Sequence, residues 1–148
     1  MDIAGPTHFD EAHYSKIKAQ LLDYGLEDRV SLHGILNDEA LEQAYLQSDL
    51  FVLASRHEGY GMVFAEAITR GIPVVALRAG AVPQTVPQGC GILVEPDNVE
   101  ALREALCRAI SDGEFRQTLK KNALASRDAF PTWNEAASMF SSCLGEFS

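Results

Sequence analysis

The sequence predicts an α/β fold, a parallel sheet flanked by helices, and three observations predict it. Short β-rich runs alternate with longer amphipathic runs, the pattern of repeated βαβ units. The run "DLFVLAS" is continuously apolar, as suits a strand buried on both faces. The chain has 148 residues, 47% of them hydrophobic, enough for one domain around a single core.

Asp10 to Tyr24 has helical spacing, and "RVSLHG" follows it with Val30 and Leu32 alternating with polar residues in a short strand. Asn37 to Gln47 opens on the capping pair Asn37-Asp38 and repeats apolar residues at Leu41, Ala44 and Tyr45, as a helix does. The buried strand covers Leu50 to Leu53. A helix then starts near Gly61, since Val63, Phe64, Ala67 and Ile68 have the three-and-four spacing of a buried face. "PVVAL" is the next strand, Arg78 to Gly91 a loop punctuated by Gly and Pro, and "GILVEP" the last strand. Val99 to Ser111, Phe115 to Ala125 and Trp133 to Leu144 are helical, with Asp97 or Asn98 and Thr132 as starts. No repeat, low-complexity segment or charge block intervenes, so residues 1–148 are expected to form one domain; Pro131, between two helices, is the only hint of a hinge.

Composition excludes several functions. Twelve Lys and Arg against 21 Asp and Glu give a formal charge of −9, which repels phosphate backbones and anionic membranes, so nucleic acid is not an expected partner. Cys90, Cys107 and Cys143 are odd in number and widely spaced, which fits reduced thiols better than a disulfide framework or a zinc site. The opening residues lack a charged-then-apolar leader and no eighteen apolar residues run together, so a cytoplasmic protein without a transmembrane segment is expected.

The chemistry concentrates in "HEGYGMVFAE", His57 to Glu66. In an open parallel sheet, ligands collect beyond the carboxyl ends of strands, where loops feed helix N-termini. The first N–H groups of a helix have no intrahelical partner and carry partial positive charge, so this turn suits a phosphate, and Gly59 and Gly61 let a ligand approach the backbone. Glu58 and Glu66 would repel phosphate and instead accept hydrogen bonds from hydroxyls on either side of it. Sugar, diphosphate and ribose follow in that order in a nucleotide-sugar. Spacing alone favours a plainer reading, in which one glutamate complements the helix dipole and the other lies on a solvated face.

The surrounding sequence adds to this. From Val30 to about Ile110 the chain resembles the C-terminal, donor-binding domain of the retaining glycosyltransferases called group 1 or family four, which have the two-domain GT-B fold. Glu, seven residues and Glu follow a strand ending in Ala54-Ser55 and lead into a helix ending in Gly71-Ile72-Pro73-Val74-Val75. The resemblance implies that Glu58 meets donor-sugar hydroxyls as the catalytic-site carboxylate and that Glu66 binds the ribose. It implies that Gly59, Tyr60, Gly61 and Met62 lie against sugar and diphosphate, that Val63 touches the nucleoside, and that His33 to Leu36 lies near the base. It further implies a uridine or guanosine diphosphate sugar as donor, no cofactor and no metal, and an acceptor-binding N-terminal domain as partner, toward which residues 131–148 pack.

Two departures stand out. Where the family has Gly-Gly and then Glu, this chain has "AGAVPQTV", with Ala79 before Gly80 and Gln84 at the acidic position. "MDIAG" resembles the end of the family's second strand, so the first strand-helix unit and its phosphate-binding Arg and Lys are expected to be absent, and the isolated chain inactive. An epimerase or phosphorylase of the same fold, or a non-catalytic nucleotide-binding module, remains as an alternative. His8, His13, His33 and His57 form no i, i+4 metal pair, Ser55 lacks a nucleophile's context, and Trp133 is expected to pack against the sheet.

Overall fold

The computed structural model describes residues 1–131 and 133–145, which form two compact units, Met1–Gln47 and Ser48–Ser148. The first contains β1 (Asp2–Ala4), α1 (Glu11–Asp23), β2 (Ser31–Gly34) and α2 (Asp38–Leu46). β1 and β2 pair in parallel, with Asp2 opposite Ser31 and Ile3 opposite Leu32, so α1 is the crossover helix of a βαβ unit. Asp10 and Asn37 start the two helices, accepting from the His13 and Ala40 N–H groups, each at 2.8 Å.

The second unit contains β3 (Phe51–Leu53), α3 (Met62–Thr69), β4 (Val74–Leu77), α4 (Val82–Thr85), β5 (Gly91–Val94), α5 (Val99–Ser111), α6 (Gly113–Ala125) and α7 (Trp133–Gly145). Its sheet is parallel in the order β3-β4-β5, with Phe51 opposite Val74 and Val74 opposite Gly91. Alternation splits the side chains of β4 between two faces. Val75 and Leu77 pack with Val94 of β5 and Ala105 and Ala109 of α5. α3 buries Phe64, Ala67 and Ile68 completely, and the Phe64 ring meets Phe51 edge-on with centroids 5.8 Å apart.

The expected elements are present, with three corrections. The strand buried throughout is β4, not β3: in the order β3-β4-β5, β4 is flanked on both sides, while Phe51, Val52 and Leu53 are half-buried. The stretch from Arg78 to Gly91 is not only loop, because Val82 to Thr85 form the turn α4 and bury Val82 and Thr85. α6 begins at Gly113, ahead of Phe115, because Asp112 accepts from the Phe115 N–H at 2.9 Å. Asn98, not Asp97, caps α5. Thr132 as a helix start and the packing of the Trp133 side chain fall outside the described residues. No helix among the described residues is long and apolar enough to cross a membrane.

Candidate functional site

Between β3 and α3 the chain makes a short loop at the carboxyl end of the sheet. Ser55 tightens its entry, its hydroxyl donating to the His57 carbonyl at 2.9 Å. Gly61 ends it in the left-handed region at φ 79° and is the residue at the N-cap position of α3. Having no side chain, Gly61 leaves the first turn uncapped. A β-carbon there would sit 2.8 Å from Phe64 Cδ2 and 3.3 Å from Glu58 Cγ. The Glu58 side chain therefore lies over Gly61, at the positive end of α3.

Six of the expected site residues, Glu58 through Val63, thus form one continuous stretch around the helix start. Gly59, Tyr60 and Met62 are exposed, Glu58 and Val63 are half-buried, and Gly61 beneath them is buried. Glu66 lies one turn into α3, also half-buried, and its carbonyl accepts from Arg70 Nη1 at 2.8 Å. His33 to Leu36 belong to the first unit, where His33 Nε2 is 2.7 Å from Asp2 Oδ1. That contact is the leading cause holding the Asp2 carboxyl below its ordinary value.

Sequence reasoning did not identify what lies behind the loop. The segment after β4 supports it from one side: the Ala81 N–H donates to the Glu58 carbonyl at 3.1 Å, and the Thr85 hydroxyl to the Tyr60 carbonyl. Gly80 is so close that a β-carbon would lie 2.4 Å from the Glu58 carbonyl oxygen. The signal was available, because adjacent parallel strands β3 and β4 deliver their following loops side by side. Arg56 pairs with Asp97 at 2.5 Å and Arg78 with Glu95 at 3.0 Å, all four exposed. Among the described residues no three His, Cys, Asp or Glu side chains converge as metal ligands.

A parallel sheet whose strand-end loop opens into an uncapped, glycine-led helix defines an α/β protein of the Rossmann-like class, with a ligand surface suited to an anion beside hydroxyls. The chain belongs to the glycosyl transferases group 1 family, whose model matches residues 1–125. It is 37% identical over 124 residues to mannosylfructose-phosphate synthase of Agrobacterium fabrum, a match covering 83% of this chain and 27% of that protein. Its fold superposes on sucrose-phosphate synthase of Thermosynechococcus elongatus with a TM-score of 0.85 at 29% identity, covering 99% of this chain and 38% of that one. It superposes on HepE of Anabaena, solved in complex with UDP-glucose, with a TM-score of 0.75 at 31% identity, covering 86% and 35% of the two chains. The fold is that of one half of a GT-B glycosyltransferase, and the chain spans about a quarter of the synthase's length.

Proposed function

We propose that this chain is the donor-binding part of a glycosyltransferase that moves a sugar from a nucleotide-diphosphate sugar to an acceptor with retention at the anomeric carbon. The observation that carries the reading is the uncapped first turn of α3 at Gly61, with Glu58 folded over it and Glu66 one turn further on. The diphosphate lies against the N–H groups of Gly61, Met62 and Val63. Glu58 accepts from the sugar hydroxyls beside Gly59 and Tyr60, and Glu66 from the ribose. Charge neutralisation by the helix start and by cations outside residues 1–148 replaces a metal. Residues 1–148 act as one donor domain, and residues 131–148 pack toward an acceptor-binding domain in the same cytoplasmic protein.

Transfer needs donor carbon, acceptor hydroxyl and charge-stabilising groups held together, and orientation supplies much of the acceleration. The chain alone is therefore inactive and binds nucleotide weakly, with a dissociation constant of about 1 mM. The test is to incubate the longer protein containing this chain with labelled UDP- and GDP-sugars. Transfer to an acceptor supports the reading, epimerised or phosphorolysed sugar replaces it with another reaction, and no change of any donor refutes it. Turnover by residues 1–148 alone would refute the division of labour.

A further inference from the structure

We infer that Thr85 is a positioning residue for the donor loop, tethering the Tyr60 carbonyl so that the N–H of Gly61 is aimed away from α4, as the Ala81 N–H on the Glu58 carbonyl aims that of Gly59. The inference rests on the donor-site reading above for its ligand, but its geometric part stands on the apo chain.

Thr85 ends α4, between the buried Val82 and Val86, in a position where valine would match it in shape. It is itself only 8% exposed. A threonine in a helical turn usually satisfies its hydroxyl locally, on the carbonyl four residues back. That acceptor is present here, the Ala81 carbonyl at 3.1 Å. The contact with Tyr60, 25 residues away in the chain, is the shorter of the two and receives the hydroxyl's single proton. The bond to Tyr60 is therefore not needed to satisfy Thr85; its consequence falls on Tyr60.

That consequence follows from peptide geometry. In a planar trans peptide each carbonyl points opposite to the next residue's N–H. The Glu58 carbonyl is held by the Ala81 N–H and the Tyr60 carbonyl by Thr85, both on the α4 side. The N–H groups of Gly59 and Gly61 consequently point away from α4, and neither donates to any described group. Gly80 closes the clamp, since its missing β-carbon is what admits the Glu58 backbone at this distance. The clamp fixes alternate peptides of a two-glycine turn that would otherwise rotate freely. Donors fixed before the ligand arrives do not have to be ordered on binding.

The test compares the full chain with T85V, which keeps the shape and removes the hydroxyl, and with T85S, which restores it. Residual dipolar couplings read the Gly59 and Gly61 N–H orientations without ligand, and UDP and GDP titrations followed at the amides of Gly59 to Val63 read affinity. T85V should change the Gly61 coupling more than that of Gly59, whose peptide Ala81 still holds, and weaken whichever nucleotide binds by about three- to tenfold, with T85S within about twofold of the parent. An unchanged Gly61 coupling in T85V overturns the inference, as does unchanged affinity despite an altered one. If the parent binds neither nucleotide while T85V still reorients the Gly61 amide, the donor-site reading fails and the tether stands. Should T85V not fold, T85A takes its place; if neither folds, Thr85 serves stability and the inference is overturned.

Discussion

Replacing Gly80 with alanine would test whether the segment after β4 fixes the site loop. Gly80 sits at φ 54°, in the left-handed region, where a β-carbon costs about 1–2 kcal/mol. That carbon would also lie 2.4 Å from the Glu58 carbonyl oxygen and 3.1 Å from its amide nitrogen. Both are backbone atoms, so no rotamer change relieves the contact and the two segments have to separate. The bond from the Ala81 N–H to the Glu58 carbonyl, 3.1 Å long, is the first to break, at about 0.5–1.5 kcal/mol. G80A should therefore lose about 1.5–3.5 kcal/mol of stability. Urea unfolding measures it as a lower midpoint at constant m. Amide shifts in the folded protein should be largest from Glu58 to Gly61. A loss under about 0.5 kcal/mol with Glu58 and Gly59 unshifted would show that the two segments are not in contact, and the reasoning would fail.

Glu66→Ala should weaken nucleotide binding by about 1.5–3 kcal/mol, a charge-assisted hydrogen bond, and leave the thermal transition in place; unfolding without a change of affinity in the folded fraction would make Glu66 structural. For Asp2, contact with His33 is the first cause of a carboxyl pKa below its ordinary 3.8. A depressed carboxyl stabilises the fold above its unfolded pKa, and that stability is lost as pH falls through the lower folded value. D2N should thus be less stable than the parent near neutrality and lose the handicap on acidification below about pH 4, so a gap constant with pH in paired urea titrations contradicts the assignment. Asp112 ends α5 with its N–H on the Arg108 carbonyl at 3.0 Å and caps α6 through the Phe115 N–H at 2.9 Å. D112A should cost about 1 kcal/mol and D112S much less, which melting curves resolve.

The sequence made the elements legible where one local signal decided them. α5 runs over Val99 to Ser111 as expected because its apolar spacing and its cap at Asn98 agree. Which strand is buried was not legible in the same way. "DLFVLAS" and "PVVAL" are equally apolar, and only the order β3-β4-β5 makes the second the inner one. The helix start at Gly61 was readable from the glycine before an apolar run. Neighbouring parallel strands signalled that the segment after β4 lies beside the site loop, but not the individual bonds from Ala81 and Thr85, because their acceptors are main-chain carbonyls, which leave no mark on the sequence. "AGAVPQTV" drew notice only as a departure at Ala79 and Gln84, whereas the structure brings Ala81 and Thr85 into contact with the site loop.

Charge explains why such backbone positioning matters here. The three strand-end segments of the second unit carry Arg56 and Arg78 against Glu58, Glu95 and Asp97. The two arginines are already engaged, with Asp97 and Glu95. Exposed pairs of this kind hold by about 0–1 kcal/mol, so an arriving diphosphate is able to compete for either guanidinium. Winning one releases a carboxylate on the same loops, and the formal balance of the surface stays negative. Net attraction therefore does not hold an anion at this surface. What remains is local: the partial positive charge of the α3 start, roughly half an elementary charge, and N–H groups whose directions are set before binding. Hydrogen bonds of that kind depend on angle more steeply than a diffuse field does. A donor site built on them, as proposed, is only as good as the peptides that aim it, and on that reading Gly80, Ala81 and Thr85 would control affinity as much as the residues that touch the ligand.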